Sequence, residues 1–367
     1  MTETPGNIQI FKPHILEAVP YKGGSTREET NGEVYKLSSN ENMLGPSPKA
    51  IEAIKQNLHT LHEYRFENDL AFRHILEKHF DQQLLVDQFI IANSGLELLD
   101  MIARGFCEEG TECILSSPTF MAYKNFSNLS GAKVIDVPLK ADDFSLDVDG
   151  VLFAINEKTR ILFISNPNNP TGALIPKTTM DALIEQLPSH VVLVYDEVYY
   201  HYVESSDFPR ALDYILQGKN VIGLHSFSKA YGLAGIRLAY AFSTHRIAEY
   251  LQRIRRPFMV STLTTVAGMA ALGDKDHIKT TRELVLKEKQ WLYGELDKLK
   301  VQYWKSQANF ILIKTLIPDA DLLKQMLHYG VMLRSTEVMK AKDCVRVTIG
   351  TREANEAFIN GLKKIVQ

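Results

Sequence analysis

The chain has 367 residues, more than one hydrophobic core usually spans, so two domains are expected. Apolar residues make up 45% and charged residues 23%, the composition of a soluble globular enzyme. Lys plus Arg number 41 against 44 for Asp plus Glu, a balance that gives no electrostatic reason to expect nucleic acid or an anionic membrane as partner.

The first forty residues carry few periodic elements and are expected to form an arm packed on a smaller domain. Met1–His14 is polar, and no stretch reaches the roughly 18 consecutive apolar residues of a membrane helix. From about 90 to 245, apolar runs at Phe89–Ala92, Glu112–Ser116, Lys133–Val137, Arg160–Ile164, Val191–Tyr195, Val221–His225 and Ala239–Phe242 lack polar alternation. That is the pattern of parallel strands buried on both faces. Helical stretches such as Leu96–Phe106 and Thr178–Leu187 supply the crossovers. An α/β domain with a mainly parallel, seven-stranded sheet is expected over 41–262. Beyond it, Ile278, Val285, Leu292, Leu296 and Leu299 follow helical spacing. Strands at Phe310–Lys314, Val331–Arg334 and Cys344–Ile349 come next, then a final helix with Thr351 as N-cap. This makes 263–367 a smaller α+β domain. Cys107, Cys113 and Cys344 are too few for a disulfide framework and lack metal-ligand spacing, so reduced cytoplasmic thiols and no metal are expected.

Three strand ends carry candidate chemistry. In Ser226-Phe-Ser-Lys229-Ala-Tyr-Gly, Lys229 lies just beyond a buried strand, where desolvation lowers an amine's pKa and leaves it able to attack an aldehyde. Ser226, Ser228 and Arg237 offer hydroxyls and a fixed cation to a phosphate. Asp196 ends Val191-Val-Leu-Val-Tyr-Asp, where α/β sheets bind ligands, and an ionised carboxylate there suits a protonated pyridine nitrogen. Tyr199 can donate to a phenolate oxygen. Asn169 leaves a third strand in the rigid turn Asn166-Pro-Asn-Asn-Pro-Thr-Gly172 and can be aimed at the same oxygen. Ser94 and Gly95 open a helix whose N–H groups can hold a phosphate, and Tyr123 offers a ring to stack on.

Together with Ser38-Ser-Asn-Glu-Asn-Met-Leu-Gly-Pro-Ser-Pro48 and Arg346-Val-Thr-Ile-Gly-Thr351, these segments resemble the histidinol-phosphate aminotransferase family, within the fold-type-I pyridoxal-phosphate aminotransferases, almost end to end. The resemblance implies pyridoxal 5′-phosphate carried on Lys229. It places Asp196 on the ring nitrogen, Tyr199 and Asn169 on the ring oxygen, and Tyr123 against the ring. Ser94, Gly95, Ser226, Ser228 and Arg237 would hold the cofactor phosphate. It also implies a homodimer in which Tyr64 crosses the interface to that phosphate, and it assigns Tyr21, Arg334 and Arg346 to the substrate's anionic group. Two guanidinium groups suit a dianionic phosphate better than one carboxylate. The substrates implied are an amino donor, histidinol phosphate, and a 2-oxo acid. Leu96 replaces an acidic residue of the family, Met43 replaces a proline, and Tyr64 lacks its usual following proline. These departures leave aromatic amino acids, or decarboxylation of threonine phosphate, as alternatives.

Overall fold

The computed structural model describes residues 11–16, 34–65, 67–315 and 317–366. A short strand, β1 (Tyr35–Lys36), precedes seven strands that form one sheet: β2 (Phe89–Ala92), β3 (Glu112–Leu115), β4 (Lys133–Asp136), β5 (Thr159–Ser165), β6 (Val192–Asp196), β7 (Val221–Ser226) and β8 (Ala239–Phe242). Their order is β2-β8-β7-β6-β5-β3-β4. Only β8 is reversed, antiparallel to both of its neighbours. All seven lie within two residues of the positions read from the apolar runs.

Two-sided burial explains those runs. In β6, Leu193 and Tyr195 enter the hydrophobic cluster on one face, while Val192 and Val194 enter the cluster on the other. In β5, Leu162 and Ile164 alternate in the same way with Ile161 and Phe163. Fully burying one such aliphatic side chain contributes about 1.5–3 kcal/mol, so a polar residue is excluded from either face until the strand ends.

The smaller layer is a four-stranded antiparallel sheet, β12-β13-β10-β9, made of β9 (Tyr303–Trp304), β10 (Phe310–Lys314), β12 (Arg334–Ser335) and β13 (Cys344–Thr348). The expected single strand at 331–334 is in fact two. β11 (Val331–Met332) pairs in parallel with β1, whereas β12 pairs with β13. The chain changes partner at buried Leu333. The β1 pairing ties residues 35 and 36 to this layer, but the helix Pro13–Leu16 packs on the large-layer helix Ala122–Leu129. A second difference concerns the helix Thr262–Leu272. It follows the expected boundary at 262, yet Ala267, Ala271 and Leu272 are buried in the large-sheet core. That packing carries the large layer to about residue 272. The amphipathic helix is Lys275–Lys298, and the last helix, Arg352–Val366, takes a hydrogen bond from the Ala354 N–H to Thr351 Oγ1 at 3.4 Å. Among the described residues, no helix is long and apolar enough to cross a membrane.

Ser94 precedes the helix Gly95–Phe106 with φ of 107° and ψ of 160°, a region essentially reserved for glycine that costs another residue about 1–3 kcal/mol. Ser94→Gly is therefore expected to raise the denaturant midpoint, a gain of about 1 kcal/mol after glycine's greater freedom in the unfolded chain is offset. Equilibrium unfolding of the two proteins side by side checks this.

Candidate active site

Period-two alternation decides which side chains meet at the carboxyl edge of the large sheet. Ser165, Asp196 and Ser226 end three adjacent parallel strands, on the face that carries Phe163, Val194 and Leu224. Ser165 pairs in register with Asp196. Above this edge a cavity of about 280 Å³ opens between the two layers. Its wall includes Lys229, Asp196, Tyr199, Tyr123, Asn169, Ser226, Ser228, Arg237, Gly95, Arg334 and Arg346.

Lys229 reaches the cavity from the turn after β7. Its Nζ donates to the Ser39 carbonyl at 3.0 Å. Burial, reinforced by the Arg346 charge, lowers its pKa to about 8. The turn is set by Gly232, whose φ is +69° and at which a Cβ would stand 2.0 Å from the Gly45 carbonyl oxygen. Only glycine lets the loop lie this close to the segment ahead of the helix Pro48–Asn57. Arg237 has φ of 60°, lines the same cavity and donates to the Ala234 carbonyl at 2.8 Å. Ser226 Oγ accepts from the Ser228 N–H at 3.1 Å.

Asp196 is buried, which raises its pKa to about 6 against the opposing pull of two donors. Tyr123 Oη donates to Oδ2 at 2.7 Å, and the Val198 N–H donates to Oδ1 at 3.1 Å. The Tyr123 ring lies stacked on Phe163, with centroids 5.0 Å apart and planes 12° from parallel. Tyr199 Oη accepts from Asn40 Nδ2 at 3.0 Å, and its ring meets Phe310 edge-on at 5.1 Å. Such a contact contributes about 0.5–1.5 kcal/mol beyond burial and fastens the loop after β6 to the small layer.

Arg346 donates to Asn169 Oδ1 at 2.5 Å and to the Ser38 carbonyl at 2.7 Å. The Asn169 turn is itself anchored, since the Gln307 N–H donates to the Gly172 carbonyl at 2.8 Å. Arg334 and Arg346 are direct cross-strand partners in the antiparallel pair β12–β13. Directly opposite like charges destabilise a sheet, and here both line one cavity.

Two expected residues, Tyr64 and Ser94, are not in this wall. Tyr64 is 84% exposed and rests against Phe258 at 4.7 Å, in a second cavity that shares no wall residue with the first. Tyr21 falls outside the described residues. Ser94 is buried behind Gly95 rather than in the cavity wall. Sequence reading assigned no role to Ser38, Ser39 and Asn40 individually, although the Ser-Ser-Asn string was conspicuous. It also passed over Glu197 and His225. Behind Asp196, His225 Nε2 lies 3.0 Å from Glu197 Oε2, and His225 Nδ1 lies 2.7 Å from Tyr240 Oη. Burial pushes Glu197 up to about 8 and His225 down to about 3, so at neutral pH the pair carries no net charge.

The donor set has a definite chemistry. A desolvated amine and a buried carboxylate share one cavity with two ring-bearing tyrosines, while hydroxyls, Arg237 and a helix N-terminus gather in its wall. A flat aromatic aldehyde with a basic ring nitrogen and an anionic arm matches that set. Among the described residues, no group of three or more His, Cys, Asp or Glu side chains could hold a metal ion.

The family model for aminotransferase class I and II matches residues 32–362. The chain is 36% identical to the histidinol-phosphate aminotransferase of Moorella thermoacetica, over 99% of this chain and 95% of that protein. It is 34% identical to that of Brevibacillus brevis, over 97% and 98%. In fold it matches the histidinol-phosphate aminotransferase from Sinorhizobium meliloti in complex with pyridoxal-5′-phosphate, with a TM-score of 0.87, 23% identity and 99% of both chains covered. The Thermus thermophilus aspartate aminotransferase with maleate matches at a TM-score of 0.80 and 20% identity, over 91% of this chain and 92% of that one. A family model that spans nearly the whole length, together with relatives about a third identical from end to end, places this chain among the class I and II aminotransferases.

Proposed function

We propose that this aminotransferase uses pyridoxal 5′-phosphate to exchange an amino group between L-histidinol phosphate and 2-oxoglutarate, a step of histidine biosynthesis. The observation that carries the substrate is the facing pair Arg334 and Arg346. Two cations held side by side in one cavity repel each other until a group of two negative charges joins them, which a phosphate supplies. Relatives named for this activity, similar over nearly the full chain, support the same reading.

Pyridoxal 5′-phosphate, when bound, supplies an aldehyde for amine exchange and an electron-withdrawing pyridine ring. Lys229 Nζ is the group assigned to hold it and, once released, to take the proton from the substrate carbon and return it. A pKa near 8 suits both tasks, because the amine spends a useful fraction of time neutral. Asp196 is assigned to the ring nitrogen, where a protonated pyridine would offset the burial that now disfavours its charge. Tyr199 and Asn169 orient the ring oxygen, with Asn40 and Arg346 fixing their directions. Ser226, Ser228, Arg237 and the Gly95 helix N-terminus are assigned to the phosphate. Tyr123 plays two parts, as a wall for the ring and as a donor to Asp196.

A homodimer is the proposed active form. Tyr64, Leu61 and Phe258 are exposed apolar side chains gathered around one cavity away from Lys229, a surface suited to a second copy. Tyr64 would then serve the partner's site. The wild-type chain is expected to be a soluble, cytoplasmic protein.

Four outcomes test the proposal. Purified protein is expected to be yellow, with borohydride fixing the colour on Lys229. Lys229→Ala should lose about 10²–10⁴-fold in kcat, and wild-type turnover by that variant would refute the assignment. With 2-oxoglutarate as acceptor, histidinol phosphate should outcompete phenylalanine as donor, and the reverse preference would move the enzyme to aromatic amino acids. Arg334→Ala should cost about 1.5–3 kcal/mol, roughly tenfold to a hundredfold in kcat/KM, for histidinol phosphate. Single-turnover cofactor absorbance should show a smaller loss with glutamate, since a lone carboxylate needs only one bidentate arginine.

A further inference from the structure

Away from the cavity, the sulfurs of Cys107 and Cys113 lie 3.1 Å apart. A disulfide bond measures about 2.05 Å, so closing it requires a movement of about 1 Å. The intervening turn holds both residues in place. The Glu108 N–H donates to Thr111 Oγ1 at 3.0 Å, that hydroxyl donates to the Glu108 carbonyl at 2.6 Å, and Gly110 takes φ of +90°. Cys107 caps the helix Gly95–Phe106, with its N–H on the Ala103 carbonyl at 2.8 Å. Cys113 lies within β3, paired on both sides. Cys107 is 7% exposed and Cys113 is fully buried, so of the two residues Cys107 lies nearer solvent, with Cys113 directly behind it. Cys344, by contrast, packs in a separate cluster with Leu312 and Ala341.

We propose that Cys107 and Cys113 form a modification site, a dithiol that a hydroperoxide closes into an intramolecular disulfide. In the first step Cys107 Sγ attacks the peroxide O–O bond, becoming a sulfenic acid and releasing one water. In the second step Cys113 Sγ displaces the sulfenic hydroxyl, the S–S bond forms and a second water leaves. Two thiols thus lose two protons and two electrons, and hydrogen peroxide is reduced to two waters. The sulfur–sulfur contact acts oppositely on the two thiols, raising the pKa of Cys107 and lowering that of Cys113, so the choice of Cys107 as the first sulfur to react rests on its position nearer solvent.

The test uses the intact holoenzyme, treated with hydrogen peroxide, alkylated with iodoacetamide in denaturant and cut by a glutamate-specific protease. Cleavage at Glu108, Glu109 or Glu112 separates the two cysteines unless a bond joins them. Alkylated cysteines are expected to fall from three to one, the survivor being Cys344. The Cys107 and Cys113 peptides should be recovered joined and two hydrogens lighter, and dithiothreitol should restore all three thiols. In Cys107→Ser, the same exposure should leave Cys113 alkylated. Three alkylated cysteines after treatment, a sulfonic acid on Cys107 beside an unreacted Cys113, or a bond between separate chains would each overturn the proposal. The wild-type peptide linkage decides the matter even where the serine variant fails to fold.

Discussion

Everything at the centre of this molecule depends on three parallel strands ending level with one another. β5, β6 and β7 run apolar through their middles and end at Ser165, Asp196 and Ser226, so these three polar side chains emerge together beneath a single cavity. A carboxylate and an amine share that space at modest cost because each is only partly tuned by burial, Asp196 up to about 6 and Lys229 down to about 8. Opposite shifts from one cause keep both groups convertible near neutral pH. Burial of Glu197 beside His225 disfavours its charge, and so limits the push that charge exerts on the neighbouring Asp196 carboxylate.

Much of this was legible in the chain. The apolar runs located every strand of the large sheet, because two-sided burial leaves a signal that needs no partner to read. Lys229, Asp196, Tyr199, Asn169, Ser226, Ser228 and Arg237 were recognisable from the turn chemistry just past those runs, and all seven line the cavity. Long-range register was not legible. Nothing in Val331-Met-Leu-Arg334 announces that the strand changes sheets at Leu333, and nothing local sets Arg334 opposite Arg346. The reversal of β8 leaves no mark either, since a buried antiparallel strand and a buried parallel one have the same composition. The polar pair Glu197–His225 was hidden for a similar reason: its partners are 28 residues apart and meet only across neighbouring strands.

The departures from the family pattern fall where the cavity tolerates them. Leu96 is 41% exposed at the cavity mouth, while the adjacent Glu97 still accepts the Asn93 N–H at 3.0 Å and steadies the helix start. Met43 packs against the small-layer core, where a flexible thioether fills irregular space. Ser94, just ahead of Leu96, bears the larger cost, since its backbone takes a shape that suits glycine.

The segment Ser38-Ser39-Asn40 grips three functional side chains in succession, Arg346, Lys229 and Tyr199. It continues directly from β1, which is zipped to β11 of the smaller layer. Any tilt of that layer is therefore transmitted along a few peptide units to the amine, the phenol and the guanidinium at once. One short peptide segment thus ties the guanidinium, the amine and the phenol of a single cavity wall to the pairing of β1 with β11.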